Sequence, residues 1–313
     1  MRYVNPGFFE WLPVILSNTS GGNISDATKS KTGTAFSNSY YGNYIPLPYG
    51  EFWCKFDFYA VTNSYFYIGE FRNNTTIYNA IILRLTSSGK FGVEVYVKNS
   101  SNTFVAETNY QEYGIKINAI NSALIHWKWA DTENGFFNVQ INDRVLGSFE
   151  SANLIPFDSS VIKFFLYNNG NQNAPISNVI ISDEPISIKE QIVALPISGV
   201  ETDMTYDSET GIYTASAANQ SLLASVNVAD LISDFGSDSK VTGVTIAGNP
   251  AYRTAEGLSS FTALTKKNNT VTEYGAANIP ADSDSVVANS FKVASDTTIA
   301  DLQIMQLGLK VGG

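Results

Sequence analysis

Between Ala123 and Phe149 hydrophobic and polar positions follow one another with the period of a strand. Ile125, Trp127 and Trp129 alternate with His126, Lys128 and Ala130, so one side is apolar and the other mostly polar. Asp131 to Gly135 supplies a turn, Phe137, Val139 and Ile141 resume the alternation, and Asn142-Asp143 breaks it before Val145-Leu146-Gly147. The pattern predicts a β-meander lying on a core. Further runs predict strands at Phe52–Val61, Tyr65–Phe71, Ala80–Leu85, Phe91–Lys98, Phe104–Thr108, Ser122–Ala130, Phe136–Ile141, Val161–Tyr167 and Ile176–Ile181. Short strands separated by Asn/Gly/Ser turns indicate a sandwich, and no long stretch holds a helical period.

Aromatic usage changes near Leu195-Pro196. Trp11, Trp53, Trp127 and Trp129 all precede that point, and Ala, Ser, Thr, Val and Asp dominate after it. The expected organisation is all-β: a first β-sandwich over residues 1–190, a join near 184–200, and a smaller β-sandwich over 200–313 with one or two short helices. In the second domain Tyr206 to Tyr213 reads as strand–turn–strand, and Val241–Ile246, Leu258–Thr265, Thr270–Tyr274 and Ser285–Val293 as strands. One helix is expected after Asn227, carrying Val228, Leu231, Ile232 and Phe235 and closed by Gly236. Thr298 with Asp301 resembles a capping box before Leu302 and Met305, with Ile304 off the apolar face.

Hydrophobic residues make up 44% of the 313 positions and charged residues 15%, which describes a folded protein with an uncharged polar surface. A net charge of −10, from 19 Lys+Arg against 29 Asp+Glu, repels phosphate backbones, so nucleic acid is not an expected partner. The apolar run at the N-terminus is interrupted by Glu10 and Pro13, which predicts no signal peptide, and no span approaches transmembrane length, so no membrane partner is expected. Cys54 is the single cysteine, which rules out an intramolecular disulfide and reads as a buried small apolar residue.

The Ala123–Phe149 stretch resembles the meander of concanavalin A-like jelly-roll modules of the laminin-G kind. The residues that carry this are Trp129-Ala130-Asp131, Asn134-Gly135, Val139-Gln140-Ile141-Asn142 and Leu146-Gly147, with Asp143 standing where many members place Gly. Ile176 to Asp183 is similar to the closing strand of such modules, so the resemblance spans residues 30–190. It implies a jelly-roll, lectin-like first domain. Related modules bind calcium through turn residues, which makes Asp131 and Asn134 the calcium candidates; no other cofactor is expected. M-R-Y-V-N-P-G-F at the start and T-T-I-A-D-L-Q-I-M-Q-L-G-L-K at the end are similar to the ends of phage and prophage structural proteins. That resemblance implies a virion or extracellular location and other virion proteins as partners; shallow sugar sites bind weakly and need several copies, so a homo-oligomer is expected.

Jelly-roll glycosidases carry E-x-D-x-x-E on one strand, which aims the acids into a cleft. The nearest string, Glu201 to Tyr206, has Tyr where the last acid belongs and lies in the second domain. An acid pair facing across strands leaves no mark in a linear sequence. His126 is the sole histidine and has no G-x-S-x-G nucleophile around it, so it reads as packing. Asp282-Ser283-Asp284 begins like a calcium loop and lacks its Gly and last acid.

Aromatic residues beside amides remain. Sugars present apolar C–H faces and rings of hydroxyls, which suit a flat aromatic platform flanked by amide donors and acceptors. The expected ligand-binding residues are Tyr40, Tyr41, Tyr44, Tyr49, Asn73, Asn74, Tyr78, Tyr167 and Asn168. The sequence therefore predicts a non-enzymatic recognition or attachment protein for a surface glycan. A purely structural virion component is the alternative, and a glycoside hydrolase with an unfamiliar acid pair ranks third.

Overall fold

The computed structural model describes residues 2–5, 22–24, 35–37, 45–46, 51–73, 76–97, 103–107, 114–128, 136–150, 163–164, 166–169, 176–248, 252–253, 257–281 and 287–312. They form antiparallel sheets with two short helices, the all-β class expected. Two compact units divide the chain, Met1–Val193 and Ala194–Gly313. No helix among the described residues is long and apolar enough to cross a membrane.

The first unit contains β1 (Arg2–Asn5), β2 (Gly22–Ile24), β3 (Ala35–Ser37), β4 (Ile45–Pro46), β5 (Glu51–Tyr59), β6 (Ser64–Asn73), β7 (Thr76–Leu85) and β8 (Phe91–Val97). It continues with β9 (Thr103–Glu107), β10 (Ile120–Lys128), β11 (Phe136–Ile141), β12 (Arg144–Glu150), β13 (Lys163–Phe164), β14 (Leu166–Asn169) and β15 (Ile176–Ser182). One sheet runs β12-β11-β10-β5-β15-β3-β2 with β1 also on β15; a second runs β14-β6-β7-β8-β9. The run expected as one strand from Val161 to Tyr167 is two pieces in different sheets, because β13 pairs with β4 and β14 with β6.

Strand alternation builds the core between these sheets. Phe52, Cys54, Phe56 and Phe58 of β5 are buried with Ala123, Ile125 and Trp127 of β10, and cross-strand register sets Trp127 opposite Phe52 and Ile125 opposite Cys54. Phe66, Leu83, Leu85 and Phe91 supply the other layer. The layers meet at Phe58 and Phe66, whose ring centroids lie 4.7 Å apart. Each such side chain contributes about 1.5–3 kcal/mol by leaving water. Burial pushes the Cys54 thiol up, against a smaller opposing effect of the Lys55 charge, so it stays protonated and inert. The β11–β12 turn is closed by Asn142, left-handed at φ 51, whose Oδ1 accepts from Ser122 N. Asn tolerates that region better than most other non-glycine residues.

The second unit contains β16 (Ile197–Thr202), β17 (Thr205–Asp207), β18 (Ile212–Thr214), β19 (Ser221–Val226), α1 (Ala229–Phe235), β20 (Val244–Gly248), β21 (Ser260–Lys267), β22 (Thr270–Asn278), β23 (Val287–Phe291), α2 (Ile299–Leu302) and β24 (Met305–Gly312). Its main sheet runs β16-β19-β24-β21-β22, while β20 pairs with β23 and β17 with β18. Val228, Leu231, Val244, Ala263, Phe291, Ile299, Leu302, Met305 and Leu307 form its core. Asn227 sits one residue before the N-cap position and still holds the first turn, accepting from Ala229 N. The Thr298/Asp301 capping box forms as expected, but the helix is one short turn. Met305, expected on it, begins β24, and Ile304 is exposed. Residues after Gln303 alternate with period two, and the ladders to β19 and β21 outweigh a weak helical pattern.

Candidate functional site

The five-stranded sheet of the first unit carries the candidate site. Phe66, Leu83, Leu85 and Phe91 mark its core face, so alternation assigns the intervening positions to the opposite face. On β6 those are Tyr65 and Tyr67. Register sets Tyr65 opposite Arg84 and Asn169, and Tyr67 opposite Ile82 and Tyr167. Ile82 is in turn opposite Glu94, and Ala80 opposite Tyr96. Glu94 is opposite Glu107 on β9, and Tyr78 shares the parity of Arg84 along β7. One face therefore gathers the tyrosine positions 65, 67, 78, 96 and 167 with Arg84, Asn169 and two glutamate positions. Arg84 itself is half-buried.

Among the residues the sequence singled out, Tyr78 and Tyr167 fall on this face. Asn168 does not: it stands opposite Phe66, whose ring is buried in the core, so Tyr167 and Asn168 belong to opposite faces. Asn73 ends β6 opposite Thr76, at the strand tip. Tyr40, Tyr41, Tyr44, Tyr49 and Asn74 lie outside the described residues, as do the calcium candidates Asp131 and Asn134 and the Asp282–Asp284 string. Among the described residues no group of His, Cys, Asp and Glu is arranged to hold a metal ion. Tyr65, Tyr67 and Tyr96 were not singled out from the sequence. Their signal was present as aromatic residues on the second parity of otherwise core-facing strands.

The other sheet presents a second polar cluster on the side away from the core. His126 stacks on Trp53 with centroids 4.2 Å apart and planes 15° from parallel, and its Nε2 is 2.5 Å from Glu51 Oε1. All three side chains are partly exposed. His126 is thus half-buried packing, as its context predicted, and Trp53 faces away from the core that Trp127 fills. Further along the same face of β5, Lys55 and Asp57 are fully buried and paired at 2.8 Å. The segment Asp183–Val193 reaches this region, where the Ile192 amide donates to Asn178 Oδ1 at 2.8 Å.

No family model and no curated protein sequence matches this chain. Solved structures similar to it include an endo-β-1,4-glucuronan lyase from the fungus Trichoderma reesei, with 14% identity and a TM-score of 0.40 over 57% of this chain and 92% of the lyase. Sheep galectin-11 is similar at 11% identity and a TM-score of 0.32 over 46% of this chain and 98% of the galectin. An alginate lyase in complex with alginate trisaccharide is similar at 12% identity and a TM-score of 0.34, covering 57% and 86%. At this level the likeness transfers no residue role to this chain. The expectation that the chain is not an enzyme does not stand, because the similar structures include a glucuronan lyase and an alginate lyase.

Proposed function

We propose that the first unit binds a polysaccharide on the tyrosine-bearing face of its five-stranded sheet. The observation that carries this reading is the register, which brings tyrosine positions from four strands onto one face with Arg84 and Asn169. Tyrosine rings stack on sugar C–H faces and their hydroxyls pair with sugar hydroxyls, while guanidinium and amide groups fix orientation. Galectins and lyases of polymeric sugars among the similar structures agree with this class of ligand. The reading extends to Tyr40, Tyr41, Tyr44 and Tyr49 as further contacts. Titration against a panel of bacterial surface polysaccharides tests it. Tyr67→Ala with Tyr167→Ala should weaken binding about tenfold or more, the consequence of losing roughly 1.4 kcal/mol. Unchanged affinity in a folded double variant refutes it.

A second reading, favoured by the placement of Glu94 opposite Glu107, is that the same face cleaves what it binds. Two glutamate positions on a face that also carries tyrosine positions and an arginine offer groups able to take and return a proton. Release of new sugar ends from the bound polysaccharide, abolished by Glu94→Gln or Glu107→Gln, supports this reading; full activity in both variants refutes it. The setting we propose is a phage or prophage particle, supported by the resemblance of the chain's two ends to such proteins. The second unit then serves assembly, and repeated copies raise avidity without new contacts.

A further inference from the structure

Lys55, Asp57 and Asn178 are polar side chains sealed from solvent. Asp57 joins the other two. Its Oδ1 accepts from Lys55 Nζ at 2.8 Å and from Ser122 Oγ at 2.6 Å, and its Oδ2 accepts from Asn178 Nδ2 at 2.7 Å. One carboxylate therefore bonds both an amine and a carboxamide, from the adjacent strands β5 and β15. Asn178 is left-handed at φ 53 and sits where the β5–β15 register shifts, and this irregular backbone accompanies the turn of its side chain toward Asp57. Its Oδ1 receives the Ile192 N–H at 2.8 Å, a donor placed where negative charge develops if the amide carbon is attacked.

We propose that Lys55 and Asn178 form an intramolecular isopeptide bond, with Asp57 relaying the proton. Transfer of a proton from Nζ to the Asp57 carboxylate converts the ion pair into a neutral amine and a carboxylic acid, which suits a site sealed from solvent. The amine lone pair attacks Asn178 Cγ, forming the Nζ–Cγ bond and placing the electron pair on Oδ1 against the Ile192 N–H. Asp57 passes a proton to Nδ2, the Cγ–Nδ2 bond breaks, and ammonia leaves. Of the three hydrogens that began on Nζ, one has reached Nδ2 through Asp57, a second passes from the attacking nitrogen to Asp57 and leaves it protonated, and the third is retained on the new amide. No oxidant, reductant or co-reactant is consumed. The product ties β5 to β15, and a link over so long a chain segment restricts the unfolded state strongly.

Intact mass spectrometry of the purified full chain decides the matter without any variant. The expected result is a deficit of one ammonia from the sequence mass, with a proteolytic fragment joining the peptides that contain Lys55 and Asn178. The sequence mass, or a deficit of one water from a Lys55-to-Asp57 amide, overturns the proposal. Lys55→Met and Asp57→Ala should each restore the sequence mass, read on denatured protein so that folding is not required of the variant. A deficit that persists in Asp57→Ala overturns the relay.

Discussion

Truncating Phe66 to alanine tests whether the first unit is a sandwich sealed by contacts between its sheets. Phe66 is fully buried, and its ring lies 4.7 Å from that of Phe58, tilted by 52°, with Phe58 on the opposite sheet. Loss of a buried phenylalanine costs about 3–5 kcal/mol, and the ring pair contributes about 0.5–1.5 kcal/mol beyond its area. Against a typical domain stability of roughly 5–15 kcal/mol, Phe66→Ala should remove a large share. With an ordinary urea dependence it lowers the midpoint by about 2 M. All the tryptophans of the chain lie in the first unit, so tryptophan fluorescence follows its unfolding alone, while amide exchange follows the second unit. The second unit has its own core and should keep its midpoint. Phe58→Ala and the double variant complete a cycle whose coupling should be about 1 kcal/mol. A Phe66→Ala cost below about 1 kcal/mol, or an equal loss in both units, refutes the packing argument.

The second unit offers two further tests. The Lys267 ammonium, together with the Thr298 amide and hydroxyl, draws the Asp301 carboxyl from 3.8 down to about 2. A depressed folded-state value stabilises fully above the ordinary aspartate range and is lost as pH falls toward 2. The stability difference between wild type and Asp301→Asn, measured by amide exchange in the second unit, should therefore hold near neutral pH, shrink below about pH 4 and vanish near pH 2; a difference independent of pH contradicts this. Gly308 lies mid-strand in β24, where an added Cβ falls 1.9 Å from the Leu222 carbonyl oxygen. Gly308→Ala should cost about 3 kcal/mol or more, whereas Gly199→Ala, with nothing within 4 Å, should stay within about 0.5 kcal/mol; similar melting of the two variants is the contrary result.

Alternation alone determined the class of this protein and the inward residues of its central strands. Phe52, Cys54, Phe56 and Phe58 stand at every second position and are buried together, because a strand sends successive side chains to opposite faces. The Thr298/Asp301 box was legible for a similar reason, since capping is local to one turn. Strand order and register are not local. That β5 lies between β10 and β15, that Glu94 is in register with Glu107, and that Tyr167 is in register with Tyr67 and Asn168 with Phe66 follow only from how distant segments pair. Lys55 and Asp57 make the contrast plain: their parity reads as a solvated face, yet Asn178 and the segment reaching Ile192 bury them. Sequence periodicity states which residues of one strand share a side, and the tertiary structure decides what lies against that side.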